Sequence, residues 1–314
     1  MPAQMRGDVR VSRTALVTGA TGFVGGRLAE RLAGRGWGVR CMVRSRERAS
    51  HLAGAGFDLH EGDALKPDSL RGMGEGVDVA YYLIHAMGRG GDASFEDRER
   101  LAAEAFGRVA KEEGVARVVY LGGLGDNPKS KHLRSRHRTA LVLEAAGPPL
   151  TYFRAGMVVG ARSESYRTLR YLVQRLPAMI APAWLRNETQ PIGVDDVLDY
   201  LAAAPDVQQA KGREIQIGGP DVVTYGEMLH LMAEALHKRR RPQIPVPLLT
   251  PWLSSLWIGL VTPVDAAVAR PLIEGLSGDT VVTDPSDAAL FDIRPEGFGK
   301  ALEKAIAEDP DLQS

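Results

Sequence analysis

"VTGATGFVGGRL", residues 17–28, decides the fold. Gly19, Gly22 and Gly25 are spaced G-x-x-G-x-x-G. Before them lies a short apolar run, "TALVTGA", which reads as a buried strand. After them "FVGGRLAERLAGRG" has apolar residues at helical spacing and a glycine stop. A glycine turn between a strand and a helix is where a dinucleotide loop sits. Glycines let the backbone turn tightly and approach a pyrophosphate, and the helix N-terminus adds free N–H groups and the positive end of its dipole.

Outward from this turn, strands and helices alternate. "WGVRCMVRS", "FDLHEGD", "VDVAYYLIHA", "VARVVYLGG" and "LTYFRAGMVVG" read as further strands. "KPDSLRGMGEG", "SFEDRERLAAEAFGRVAKEEG" and "RSRHRTALVLEAAG" read as the helices between them. Such alternation calls for an α/β fold, a doubly wound parallel sheet of Rossmann type with helices on both faces. Beyond about residue 160 the alternation loosens and proline becomes frequent. The expected division is a dinucleotide-binding domain over 12–160 and a smaller, mostly helical substrate domain over 161–314. Residues 190–222 are expected to return to the sheet through "REIQIGG", and residues 1–11 read as a loose tail.

The second strand ends "CMVRSRERA", so Arg44, Ser45, Arg46 and Arg48 crowd its tip with no acid before Glu47. An NAD site usually places an acid there for the ribose 2′-hydroxyl, whereas arginine clamps a 2′-phosphate. The expected cofactor is therefore NADP(H). Composition narrows the rest. The 314 residues carry no net charge, which argues against a protein built to coat nucleic acid. One cysteine, Cys41, allows no internal disulfide, and the polar first residues lack an apolar signal core, so the expectation is cytoplasmic. Residues 243–264 carry no charge, but Pro245, Pro247, Pro251 and Pro263 interrupt them. That leaves 252–262 as a buried or pocket-lining helix rather than a membrane span, with peripheral membrane contact or a homodimer face as the alternatives.

"TGATGFVGGRL", "EGDALKPDSLRGMGEGVDVAYYL" and "PIGVDDV" resemble the atypical and extended short-chain dehydrogenase/reductases, in the NmrA-like and complex-I-39-kDa-like branch. The resemblance implies that Gly19, Thr21, Gly22, Phe23, Val24 and Gly25 meet the pyrophosphate. It implies that Arg44 and Ser45 meet the 2′-phosphate, that Asp63 and Ala64 border the adenine, and that Leu83, Ile84 and His85 line the cofactor. No metal site is expected.

"KSKHLRSRHR", residues 129–138, packs five Lys/Arg and two His into ten residues. It falls where the resembled family carries Y-x-x-x-K. Here the matching residues are His132 and Arg136, and the family's serine position falls on Gly122 or Gly123. His132 and Arg136 are four apart, hence on one helix face. Arg136 can clamp a ribose or phosphate but stays charged. His132, and less directly His85, offers a proton donor or simply a packed imidazole. Arg134 and Arg138 are expected to face solvent. Two functions stay open. One is an NADPH-dependent reductase of a hydrophobic small molecule, with C=C or C=N reduction suited to the missing tyrosine; Trp184, Trp252 and Trp257 suggest the apolar ligand. The other is a non-enzymatic NADP(H)-binding sensor or assembly protein.

Overall fold

The structure is a computed structural model that describes residues 13–84, 92–125, 130–176, 179–240, 242–245, 276 and 278–313. The amino-terminal unit runs β1 (Thr14–Thr18), α1 (Phe23–Gly34), β2 (Gly38–Val43), α2 (Ser50–Gly54), β3 (Asp58–Glu61), β4 (Val79–Tyr82), α3 (Asp92–Glu112), β5 (Arg117–Gly123), α4 (Lys131–Ala146) and β6 (Leu150–Ala155). Then come β7 (Val158–Val159), α5 (Glu164–Arg175), β8 (Met179–Ala181), β9 (Glu188–Thr189), β10 (Ile192–Gly193) and α6 (Val194–Ala203). The chain closes with β11 (Glu214–Ile217), β12 (Val223–Thr224), α7 (Tyr225–Ala235), β13 (Gln243–Pro245) and α8 (Phe298–Ala307).

Seven strands form one parallel sheet in the order β11-β6-β5-β4-β1-β2-β3. The reversal between β1 and β4 is the switch point of a doubly wound fold. Residues 214–217 thus join the sheet edge beside β6. Alternating side chains serve the two faces. Tyr81, Val119 and Phe153 pack with Leu28 and Leu32 of α1 and Val197 and Leu201 of α6. Their neighbours Tyr82, Tyr120 and Tyr152 pack on the other face with Phe106 of α3 and Leu143 of α4. Because both faces are covered, β4 and β6 are buried along their whole length. A further core joins α5, α7 and α8 through Leu169, Val173, Met228, Met232 and Leu302.

Local features differ from the sequence expectation: "KPDSLRGMGEG" forms only a 3-10 turn, Pro67–Leu70, rather than a helix. Helix α4 starts at Lys131, three residues before "RSRHR", because Ser130 sits in extended backbone and its Oγ accepts from the Leu133 N–H at 3.3 Å. The short α2 carries too few residues for a periodic signal. Of the apolar segment 243–264, only Gln243–Pro245 is described, as a strand parallel to β8. The remainder, with Trp252 and Trp257, lies outside the described residues, as do His85 and the tail 1–11. Among the described residues, no helix is long and apolar enough to cross a membrane, and no His/Cys/Asp/Glu cluster is placed to hold a metal.

Candidate cofactor cleft

A cleft of about 1850 Å³ runs along the carboxyl ends of the sheet strands. The glycine turn forms its floor. Gly19 has φ 64°, and a Cβ there would lie 2.6 Å from the Leu83 carbonyl oxygen. A Cβ on Gly25 would fall 2.3 Å from the Gly19 oxygen. These two positions are glycine because the turn itself has no room. Gly22 differs: its φ is −91°, and an added Cβ would meet only the Gly19 oxygen at 3.1 Å. It caps α1 with no side chain, so the helix N-terminus stands open toward the cleft. Sequence reasoning missed Thr18, which ties this floor to β4. Its Oγ1 donates to the Tyr81 carbonyl at 3.0 Å and accepts from the Leu83 N–H at 2.8 Å.

Thr21, Phe23 and Val24 line the same cleft beside the turn, and Arg44 lines it at the tip of β2. The Arg44 side chain is exposed and has no ion-pair partner among the described residues. Ser45 is not on the cleft wall; its Oγ accepts from the Arg48 N–H at 3.3 Å. Arg46 and Arg48 are exposed. Asp63 and Ala64 follow β3 on the wall, and Leu83 and Ile84 follow β4. Asp63 is held by its own turn: its Oδ1 accepts from the Leu65 N–H, and its N–H donates to Ser69 Oγ at 2.9 Å. A dinucleotide fits this cradle, because the turn leaves backbone N–H groups and an unobstructed glycine facing the cleft.

The α4 residues continue the wall. His132, Leu133, Arg136 and Thr139 line it, while Arg134 and Arg138 are exposed and Arg138 pairs with Glu96. The Arg136 Nε is buried with no hydrogen-bond partner among the described residues. Burial, reinforced by the Arg136 charge, pushes His132 down to about 3. Of the two roles the sequence left open for His132, this favours the packed imidazole over the proton donor. This ring is neutral at ordinary pH, a hydrogen-bonding group rather than a charged acid. The serine position is filled from outside. A Cβ on Gly122 would lie 2.7 Å from the Tyr152 ring, and one on Gly123 would lie 2.9 Å from Leu133 Cδ2. Met157, Val158 and Leu276 add apolar surface to the cleft wall, which Tyr225 and Thr280 also line.

A glycine cradle at the switch point of a parallel sheet defines an NAD(P)H-binding Rossmann protein. Residues 19–166 match the family model described as NAD(P)H-binding. The chain is homologous to the complex I 39-kDa-like proteins. The mitochondrial NADH dehydrogenase [ubiquinone] 1 alpha subcomplex subunit 9 of Arabidopsis thaliana is 28% identical over 74% of this chain. The match covers 61% of that subunit, so the chain spans less than two thirds of its length. The (4-alkanoyl-5-oxo-2,5-dihydrofuran-3-yl)methyl phosphate reductase of Streptomyces griseus is 27% identical over 72% of this chain and 75% of its own. Among solved structures, the Citrobacter triphenylmethane reductase complexed with NADP(H) shares the fold. Its TM-score is 0.70 at 17% identity, over 93% of this chain and 99% of that one.

Proposed function

We propose that the protein is an NADPH-dependent reductase of a hydrophobic small molecule, with C=C or C=N reduction as the chemistry. The observation that carries this is the continuity of one cleft, from Arg44 through the glycine turn and Arg136 to the apolar walls of Met157 and Leu276. Relatives named as reductases support it. The cofactor, when bound, supplies a hydride. The chain supplies the binding: Gly22 and the α1 N-terminus for the pyrophosphate, Arg44 for the 2′-phosphate, and Arg136 for a ribose or phosphate oxygen. Neutral His132 offers a hydrogen bond. With the serine and tyrosine positions occupied by other groups, the site is poorly equipped to protonate an alkoxide, which favours acceptors that need less acid assistance.

The test is a purified protein with NADPH and a panel of conjugated enones and imines; oxidation of NADPH by none of them overturns the reading. The second reading, an NADP(H)-binding sensor or assembly protein, draws on the homology to complex I subunits. Tight NADPH binding without turnover favours it.

Cofactor preference follows from Arg44. NADPH is expected to bind at least about tenfold more tightly than NADH, about 1.4 kcal/mol, and Arg44→Ala to erase most of that difference in calorimetric titration. Equal affinities in the wild type would sink the assignment.

His132 and Arg136 separate by kinetics. Arg136→Ala is expected to weaken NADPH binding by about 1.5–3 kcal/mol, while Arg138→Ala changes little. His132→Phe is expected to lower turnover by about tenfold at most, the scale of one lost hydrogen bond. A loss of about 10²–10⁴-fold would instead mark an acid catalyst. His132 also gives a signed pH effect. A histidine whose folded pKa is depressed binds its proton preferentially in the unfolded chain. It therefore makes the fold less stable as pH falls from about 6.5 toward its folded value of about 3. In His132→Phe, chemical denaturation between those limits should show a shallower loss of stability.

A further inference from the structure

Among the described residues, Arg136 is a cation with no ion-pair partner. It lines the cleft from α4, and its Nε is buried and unbonded. Glu99 lines the same wall from α3, but its carboxylate accepts from Ser135 Oγ rather than from Arg136. Taking a guanidinium out of water is costly unless an anion meets it, so buried charges in proteins are paired. For Arg136 that anion has to arrive with a ligand.

The sheet order narrows which ligand. The Arg136 Cδ lies 4.0 Å from where a Cβ on Gly123 would stand, so the side chain crosses the end of β5. The glycine turn follows β1 and Arg44 follows β2, whereas β5 lies on the far side of β4. Neighbouring strands are about 4.8 Å apart, so the end of β5 is about 10 Å from the turn and about 14 Å from the tip of β2. The negative charges of a dinucleotide sit on its phosphates, and those have their own cradle at β1 and β2. What extends past β4 toward Arg136 is ribose and nicotinamide, which carry none.

A ribose hydroxyl can accept one N–H of the five on a guanidinium, but it does not neutralise the charge. A carboxylate does, and its two oxygens match the planar fork. The surroundings fit the apolar remainder of such a ligand. Leu121, Leu124 and Leu133 line the cleft, and Leu133 Cδ2 lies 2.9 Å from the same Cβ position on Gly123. We infer that Arg136 binds a carboxylate carried by the substrate, so that the hydrophobic small molecule taken by the cleft is an acid. This rests on the reductase reading in taking that ligand to be the substrate.

The test uses trans-cinnamate and its neutral isostere cinnamamide, titrated by ligand-observed NMR into the full chain saturated with NADP⁺. The wild type is expected to bind the acid at least about tenfold more tightly than the amide, the scale of one charge-assisted hydrogen bond. Arg136→Gln, with NADP⁺ raised to restore saturation, is expected to bind the two alike. Arg136→Lys keeps the charge without the fork and should show a reduced preference. Arg138→Gln, on the same helix but facing solvent, should keep all of it. The inference is overturned if the wild type shows no preference for the acid or binds neither probe, or if either Arg136 variant keeps the full preference. No preference in the wild type is also the result expected if a phosphate of the cofactor itself occupies Arg136. Reduction of cinnamate by NADPH is measured separately. Its absence alongside an intact acid preference would fail the reductase reading and leave the carboxylate site standing.

Discussion

Gly22→Val is expected to abolish NADPH binding while leaving the protein folded, and Gly25→Val to destroy the fold itself. The three glycines look equivalent in sequence but do different work. Gly22 has an ordinary φ and lines the cleft, and an added Cβ would meet only the Gly19 oxygen at 3.1 Å, so a branched residue there asks the backbone to give by a few tenths of an ångström while it crowds space a pyrophosphate would need. At Gly25 the added Cβ would overlap the Gly19 carbonyl at 2.3 Å and force α1 off the turn. Overpacking of that kind costs about 1–3 kcal/mol or more, and here the atom in the way is backbone, which cannot rotate aside. Circular dichroism and thermal melting should show a native Gly22→Val with no calorimetric signal for NADPH. If that variant binds NADPH normally, the cofactor lies elsewhere. If Gly25→Val melts like the wild type, the packing account of the turn is wrong.

Asp309→Ala is expected to be the most destabilising of the single polar truncations. Arg170 is buried on α5, with its side chain 2% exposed, and pairs with Asp309 at 2.9 Å and Asp311 at 2.6 Å. Asp309 is equally buried and also accepts from the Tyr166 hydroxyl at 3.0 Å. Removing it leaves Tyr166 and part of Arg170 unpartnered in the core. Breaking one side of such a buried pair typically costs about 3–5 kcal/mol. Asp311 is largely exposed, so Asp311→Asn should change stability little by comparison. The Arg170 guanidinium holds the Asp311 carboxyl below its usual range. That small contribution is present above the unfolded carboxylate pKa and fades as pH falls through the folded one. Urea denaturation of the two variants checks the ranking, and equal losses would refute it. Glu308 and Gln313, which flank the clasp in sequence, line the cleft.

How much of this was legible beforehand depends on the range of the information. The glycine turn, the strand–helix alternation and the arginines at the tip of β2 are local patterns. Strand and helix periods repeat within a few residues, and a glycine's freedom belongs to its own backbone. The parallel sheet, the likeness to NAD(P)H-binding proteins and the outward placement of Arg134 and Arg138 could therefore be read from the chain alone.

Tertiary structure alone decided what those residues can do. The pKa of His132 depends on how much protein surrounds it and on the Arg136 charge one turn away, and burial is not written in the residue itself. Nothing near Gly122 and Gly123 indicates why a serine is missing; the answer comes from Tyr152 on the adjacent strand and Leu133 on the following helix. Thr18 reads as an ordinary strand residue until β4 is laid beside β1 and its hydroxyl is seen holding Tyr81 and Leu83. Tyr225, Thr280 and Thr189 share no periodicity and no motif, and only the folded chain brings their hydroxyls within hydrogen-bond distance, 3.1 Å and 2.8 Å.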